Sequence, residues 1–373
     1  MSLDEKRVSE LDVLRGFAML GVFIVNFVEM NSLPPGESGV YPVWNSALDE
    51  SFKWLYHTLF NEKFYLIFVF LFGYSLSFIA VSAQKKNLNV DLIVLRRMGS
   101  LLLIGVILAG LFWWGVILIP YALFGLIMWG LVRACNQWIN CMLAVLLILV
   151  VPPLLNHIRL SYTYQYILDT QSLSVLYTHG GFKNWIHLIP VQLQGVYWGF
   201  FTDGLNTPFY PGNIAYMSML LGLFILGWYG AMHKVITTTS TASYCKLILF
   251  GIVLFVVTRF LDPKDYFFLH RFSQTLAMSA GIIILARVWE SPLTRLFALI
   301  GRTSFSAYAF HLMVGALVFY LFGLFQEFSF SMLFIMALAT YLMAAITCWA
   351  MQRRFGTGFC EMLMKRMTYG KDG

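Results

Sequence analysis

Residues 11–27 read Leu-Asp-Val-Leu-Arg-Gly-Phe-Ala-Met-Leu-Gly-Val-Phe-Ile-Val-Asn-Phe, an apolar run that carries Asp12, Arg15 and Asn26, with Glu29 just beyond. With its neighbours the run reaches the ~20 residues that a helix needs to cross a bilayer. A charge at the centre of such a span costs roughly 2.5–3.5 kcal/mol, so its polar residues face a partner or a wet cavity. Asp12 and Arg15 stand three apart on one helix face and pair locally. Asn26 falls about three turns, ~16 Å, beyond Arg15 on nearly the same face. The pattern predicts one spanning helix with a polar stripe. The plainer alternative is a self-neutralised Asp12–Arg15 pair snorkelling to the headgroups.

The rest of the chain repeats the apolar demand. Its 373 residues are 59% hydrophobic and only 12% charged, against roughly 25% charged in a soluble domain, and the mean hydropathy is +0.74. This predicts a single integral-membrane domain over residues 1–373, seated in a lipid bilayer, without room for a large soluble unit. The net charge of +7 is read through topology, because Lys and Arg collect in cytoplasmic loops. No basic stripe outside the spans suggests nucleic acid. The first apolar run leads to Pro34-Pro35-Gly36 with no A-x-A-like site, so it is expected to stay as a span. Cys135, Cys141, Cys245, Cys348 and Cys360 lack metal-like spacing. Neither a metal nor a disulfide is expected.

In chain order the spans are predicted at about 11–30, 61–83, two within 98–134, then 138–155, 213–232, 246–261, 269–288, 299–323 and 328–351. The run 98–134 is too long for one crossing and divides at Trp113-Trp114-Gly115. The fifth span is expected to stop at Pro152-Pro153. A polar outer loop, 31–58, follows the first span. A longer outer segment, 156–212, is rich in aromatics and carries an amphipathic or partly inserted helix near 184–201. The tail 353–373 is inside. Of 25 Lys and Arg, Lys53, Lys63, Arg159, Lys183, Arg259, Lys264 and Arg271 fall outside and Arg15 within a span. The other 17 fall on the cytoplasmic side, which supports both termini being cytoplasmic. The predicted fold is an all-α, polytopic helical bundle of about ten spans.

Polar residues inside the apolar segments mark the candidate site. Glu62 and Lys63 read as an interfacial ion pair, and Arg259, His270 and Arg271 as a charged outer rim. Gly301 to His311 reads as one helix with Arg302, Ser306 and His311 facing inward together. His311 falls near mid-membrane, where an imidazole needs a hydrogen-bond partner. It serves either as a packing residue or, since it titrates near neutral pH, as a base or proton relay. There is no Gly-rich phosphate loop, no G-x-S-x-G and no H-E-x-x-H.

The opening L-D-x-L-R-G-x-A-x-L-G-x-x-x-x-N resembles that of the YeiB-like family (domain of unknown function 418) of bacterial multi-pass membrane proteins. Five further stretches resemble the family's motifs in the same order. They are Phe60-Asn-Glu-Lys-Phe through Gly73, Gly115-Val-Ile-Leu118 with Tyr121-Ala-Leu, Tyr177-Thr-His-Gly-Gly-Phe, Gly301-Arg-Thr-Ser-Phe-Ser-Ala-Tyr, and Gly358-Phe-Cys-Glu361 through Gly370. The family's polar G-x-x-H and G-D-I-L positions are here Leu108 and Val116.

The same opening is similar to that of two transmembrane acyltransferase groups, acyltransferase-3 and heparan glucosaminide acetyltransferase. That resemblance implies an acyltransferase-like bundle around a cavity crossing the bilayer, with cytoplasmic acyl-CoA as co-substrate and an envelope glycan, lipid or peptide as acceptor. Where acyltransferase-3 carries its catalytic histidine stands Asn26, and Tyr41, ahead of Trp44-Asn45, replaces the heparan-type histidine. His311 would then be the substitute base and Asn26 a donor towards the oxyanion. Arg15, Arg96, Arg97 and Arg302 would hold the CoA phosphates. A transporter, flippase or efflux protein would use the same cavity for passage, along Arg15, Asn26 and Glu29. A binding or immunity protein would use the aromatic segment 156–212 to hold an envelope-active peptide or lipid. Each reading places the chain in the bacterial cytoplasmic membrane.

Overall fold

The computed structural model describes residues 3–32, 46–159, 176–201, 211–262 and 265–370. Tyr41, Trp44 and Asn45, much of the outer segment (160–175 and 202–210), Lys264 and the last three residues lie outside the described residues. Every regular element among the described residues is helical. α1 (Leu3–Met30) is followed by α2 (Ala47–Leu55), which runs into a π turn at Tyr56–Phe60. Next come α3 (Phe64–Lys85), α4 (Val90–Leu111), α5 (Leu118–Ala134), α6 (Gln137–Leu149) and α7 (Val151–Arg159). α8 (Phe182–Phe201), α9 (Pro211–Met232), the single turn α10 (Val235–Thr238), α11 (Thr241–Thr258) and α12 (Phe267–Val288) follow. The chain closes with α13 (Pro292–Arg302), α14 (Ser304–Ala316, prolonged by a π turn to Leu321), α15 (Phe330–Phe355) and α16 (Phe359–Tyr369).

Nine helical stretches among the described residues are long and apolar enough to cross a membrane, and Leu118–Ala134 is a shorter apolar helix. The expectation of about ten spans is met only by counting that shorter one. The long run does divide as expected, at the non-helical residues 112–117.

Three boundaries differ from the sequence reading, each for a local reason. The second half of loop 31–58 is helical, because Ser46 caps α2 by accepting from the Asp49 amide (3.1 Å). Pro152 and Pro153 do not stop the fifth span. They sit in the first turn of α7, where a missing N–H costs nothing. The span expected over 299–323 is broken at Thr303. Upstream of the break, Ser291 and Thr294 form a reciprocal capping box that starts α13.

The helices approach at glycines. A Cβ on Gly16 of α1 would strike the Phe297 carbonyl of α13, and one on Gly301 of α13 would strike the Asp12 carbonyl of α1. Gly73 and Gly227 make the same reciprocal contact between α3 and α9, against the carbonyls of Phe224 and Phe70. Small residues at such crossings let backbones pack directly, which apolar side chains alone do not achieve in lipid. α1 therefore lies at the centre, against α3, α13, α14 and α15. α11 and α12 pack on each other at the edge, with Leu249 and Phe250 among the exposed apolar side chains that suit a lipid-facing surface. The first and last described helices begin and end on one side of the bundle, since α16 packs on α4 and α14 near the start of α1. We call this the inner side.

Candidate functional site

α1 presents Arg15, Met19, Val22, Asn26 and Glu29 at spacings of four, three, four and three, so they form one face. Two cavities open along that face. The inner one, about 290 Å³, is lined by Arg15, Met19 and Val22 of α1, and by Phe68, Phe72 and Ser75 of α3. Arg97, Tyr121, Arg302, Tyr308 and Glu361 complete its polar and aromatic lining. The outer one, about 220 Å³, is lined by Val22, Asn26, Glu29, Glu62 and aromatic rings. Val22 and Ile117 line both, so the cavities meet at these two apolar side chains.

The inner cavity is cationic, with three arginines against one glutamate. Asp12, 2% exposed, ties two of them together: Arg15 Nη1 donates to its Oδ1 at 3.4 Å and Arg302 Nε lies 3.6 Å from its Oδ2. Arg15 Nη2 also donates to Ser75 Oγ at 2.5 Å. The side chain of Arg302 remains 57% exposed, and the buried Arg97 Nε has no hydrogen-bond partner among the described residues. Two arginines therefore keep donors available for an anion.

Glu361 is a residue the sequence reading did not single out. It reaches the cavity from α16, where Oε1 accepts from the amides of Phe305 (2.8 Å) and Ser306 (3.2 Å) and Oε2 from Ser306 Oγ (2.5 Å). A carboxylate at the first turn of α14 satisfies orphan amides and complements the helix dipole. The neighbouring Cys360 thiol is pushed up to about 11, by burial first and by Glu361 second. A quoted G-x-x-E stretch in the tail was the one sequence signal for this residue.

Asn26 and His311 do meet. The Asn26 amide nitrogen donates to His311 Nε2 at 2.9 Å, which places the imidazole proton on Nδ1. His311 is fully buried (0% exposed), stacks on Phe23 with centroids 4.5 Å apart, and lines neither cavity. It stands behind Asn26, which does face the outer cavity. The expected inward trio of Arg302, Ser306 and His311 is not brought together. The break at Thr303 sends Arg302 to the cavity mouth, while Ser306 goes to Glu361 and His311 to Asn26. Arg96 is exposed and does not line the inner cavity that Arg97 lines.

The adjacent Glu62 and Lys63 are not an ion pair. Glu62 has a positive φ (60°) and turns to Arg271 of α12 at 3.6 Å. Lys63 is 0% exposed, and its ammonium donates to the carbonyls of His57 (3.3 Å) and Asn61 (3.2 Å). Of the expected outer rim, Arg271 thus pairs with a residue of the cavity wall and His270 bonds to Thr258 (2.9 Å), whereas Arg259 is exposed. Trp114, expected as an interface anchor, lines the outer cavity instead, with its amide donating to Gln192 Oε1 of α8 at 2.8 Å. No group of three His, Cys, Asp or Glu among the described residues is arranged to hold a metal.

Residues 247–371 match a family model described as a protein of unknown function, DUF418. The uncharacterized protein YxaH of Bacillus subtilis (strain 168) is 33% identical over 128 residues, 33% of this chain and 32% of that protein. An uncharacterized 39.9 kDa protein in the amylase 3′ region of Bacillus acidopullulyticus is 32% identical over 107 residues, 29% of each chain. The uncharacterized protein YeiB of Escherichia coli (strain K12) is 29% identical over 126 residues, 33% of this chain and 30% of that one. Each match spans about a third of the relative's length. No solved structure matches. The family match covers Arg302, His311 and Glu361, and the stripe on α1 lies before it.

Proposed function

We propose that this chain, a YeiB-like membrane protein whose final third carries the DUF418 match, moves an acyl group from cytoplasmic acyl-CoA to an acceptor at the outer face. The observation that carries this reading is the pair of cavities of opposite charge that meet end to end at Val22 and Ile117. A donor held on one side and an acceptor on the other would be separated by two side chains, so that only the transferred group need pass.

The residues suit the parts they would play. Arg15, Arg97 and Arg302 present fixed donors for the phosphates of CoA, to which planar guanidinium groups bind as forks. A cavity of about 290 Å³ would admit the thioester arm, with the nucleotide left at the mouth beside the exposed Arg302. Phe68 and Phe72 give the acyl chain an apolar wall. Asn26, one turn beyond Val22, would offer its amide to the developing oxyanion. His311 is the positioning residue that holds that amide in place. In the transfer the thioester C–S bond breaks, the acceptor's new C–O or C–N bond forms, and the acceptor proton leaves with the CoA thiolate. Passage of a whole molecule is the second reading, favoured by the absence of histidine and cysteine from the lining of both cavities among the described residues.

The test is thermal unfolding of the purified protein with acetyl- and longer-chain acyl-CoA, followed by CoA release with candidate acceptors. Ligand at a hundredfold over its Kd stabilises by ~2.7 kcal/mol, and Arg97→Gln should remove most of that. No stabilisation, or stabilisation unchanged in Arg97→Gln, would overturn the donor site. Binding without CoA release, together with uptake into vesicles, would replace transfer by passage.

A further inference from the structure

The outer cavity differs from the inner one in sign and in the material of its walls. Glu29 enters it from α1, and its carboxylate has no hydrogen bond or ion pair with any described residue, whereas Glu62 beside it has Arg271 at 3.6 Å. The half-buried Glu29 thus brings to the cavity a carboxyl group with no counter-charge among the described residues, and an uncompensated carboxylate in such surroundings is costly until a cation joins it. The walls around it are aromatic: Phe60, Tyr65, Trp113, Trp114 and Tyr216. Such rings attract a cation lying over their faces. Independently, Trp113 is 1% exposed and lines this cavity with an indole N–H that has no partner among the described residues. Buried donors are almost always satisfied, so this one points to a ligand oxygen.

We infer that the outer cavity is a recognition site for a small organic cation, its ammonium group held by Glu29 within the aromatic walls and an oxygen of the same molecule within reach of Trp113. At about 220 Å³ the cavity is below the usual range for drug-sized ligands and suits a headgroup-sized molecule. A bare metal cation fits poorly, because ring faces replace the six or more oxygens that a hard cation collects. The ammonium has two sources: a soluble amine outside the cell, or the headgroup of an aminophospholipid. The inference rests on the proposed transfer only in making this molecule the acceptor, and the binding site stands without it.

The probes are choline and ethanolamine, titrated into the full-length protein in phosphatidylglycerol nanodiscs and read by tryptophan fluorescence and thermal stability. Saturable binding is expected, weakened at least about tenfold in Glu29→Gln and unchanged in Arg97→Gln. The neutral isostere of choline, 3,3-dimethylbutanol, is expected not to bind. Nanodiscs containing phosphatidylethanolamine assign the source: competition with the soluble probes would name the lipid headgroup, and no competition the soluble amine. Should Glu29→Gln fail to fold, Trp114→Leu with Glu62→Gln is the second pair, each expected to weaken choline. Equal binding of choline and its neutral isostere, or no saturation by either probe, would overturn the site. Cation binding that persists without any acyl-CoA effect would refute the transfer reading and leave this site intact.

Discussion

Replacing His311 separates a positioning role from a catalytic one. His311→Ala deletes a fully buried ring stacked on Phe23, a truncation that for large aromatic side chains costs ~3–5 kcal/mol. It also strips the acceptor from the Asn26 amide, and an orphaned buried donor adds ~1–3 kcal/mol. Together these are on the order of 5 kcal/mol, a large part of the ~5–15 kcal/mol that holds a typical protein folded. His311→Gln is different, because its amide oxygen can still accept from Asn26. It loses mainly the ring contact, ~0.5–1.5 kcal/mol, with a little volume besides. The assay is thermal unfolding in detergent, paired with CoA release across about pH 5–8, the window in which histidine titrates. If His311 only holds Asn26, the Ala variant should unfold far below the parent. The Gln variant should stay folded and keep most of the activity, with an unaltered pH profile. A Gln variant as stable as the parent that binds acyl-CoA yet releases no CoA would refute the positioning role and make His311 a base.

Two further substitutions test the frame around the cavities. Glu361→Gln keeps an oxygen for the Phe305 and Ser306 amides and should cost ~1 kcal/mol, against ~3 kcal/mol for Glu361→Ala, which leaves both open. The Gln variant should also bind acyl-CoA more tightly, since it removes the one carboxylate that lines the arginine cavity among the described residues; equal damage in both variants would refute the capping role. Gly227→Ala drives a methyl group into the Phe70 carbonyl and should cost ~1–3 kcal/mol or more. Gly130→Ala, with nothing within 4 Å of its added Cβ, should be neutral or slightly stabilising; a matching loss at both positions in thermal unfolding would contradict direct packing at the α3–α9 crossing.

What was legible in the sequence was what hydrocarbon and helix geometry dictate without help from the tertiary fold. The apolar runs announced the spans, and the excess length of 98–134 announced a break. The spacing of Arg15, Asn26 and Glu29 announced one polar face. The errors arose where one backbone angle or one distant contact decides. Glu62 and Lys63 look like a pair because they are neighbours, but a left-handed φ at Glu62 turns them apart. The break at Thr303 was hidden inside an apolar run, and the helix start that Ser291 and Thr294 cap upstream shows only in the structure. Glu361 had no visible role, since its partners Phe305 and Ser306 lie 56 and 55 residues away.

The same distances say how the site is assembled. Asn26 and His311 are 285 residues apart in sequence, and Asp12 of α1 holds Arg302 at the end of α13. One member of each pair lies in the DUF418-matching third and the other in the first helix. The glycine crossing of α1 and α13 brings those halves to backbone contact. The inner cavity is therefore lined from both, whereas the described lining of the outer one lies wholly before residue 247. The final third supplies Arg302 and Glu361 to the inner cavity, while the stripe on α1 supplies Arg15 to it and Asn26 and Glu29 to the outer one. A family match confined to the last third thus captures the wall that α1 is pressed against. The chemistry of the inner cavity depends as much on the first thirty residues, where the polar stripe lies. The outer one takes Asn26 and Glu29 from them and no described lining residue from the last third.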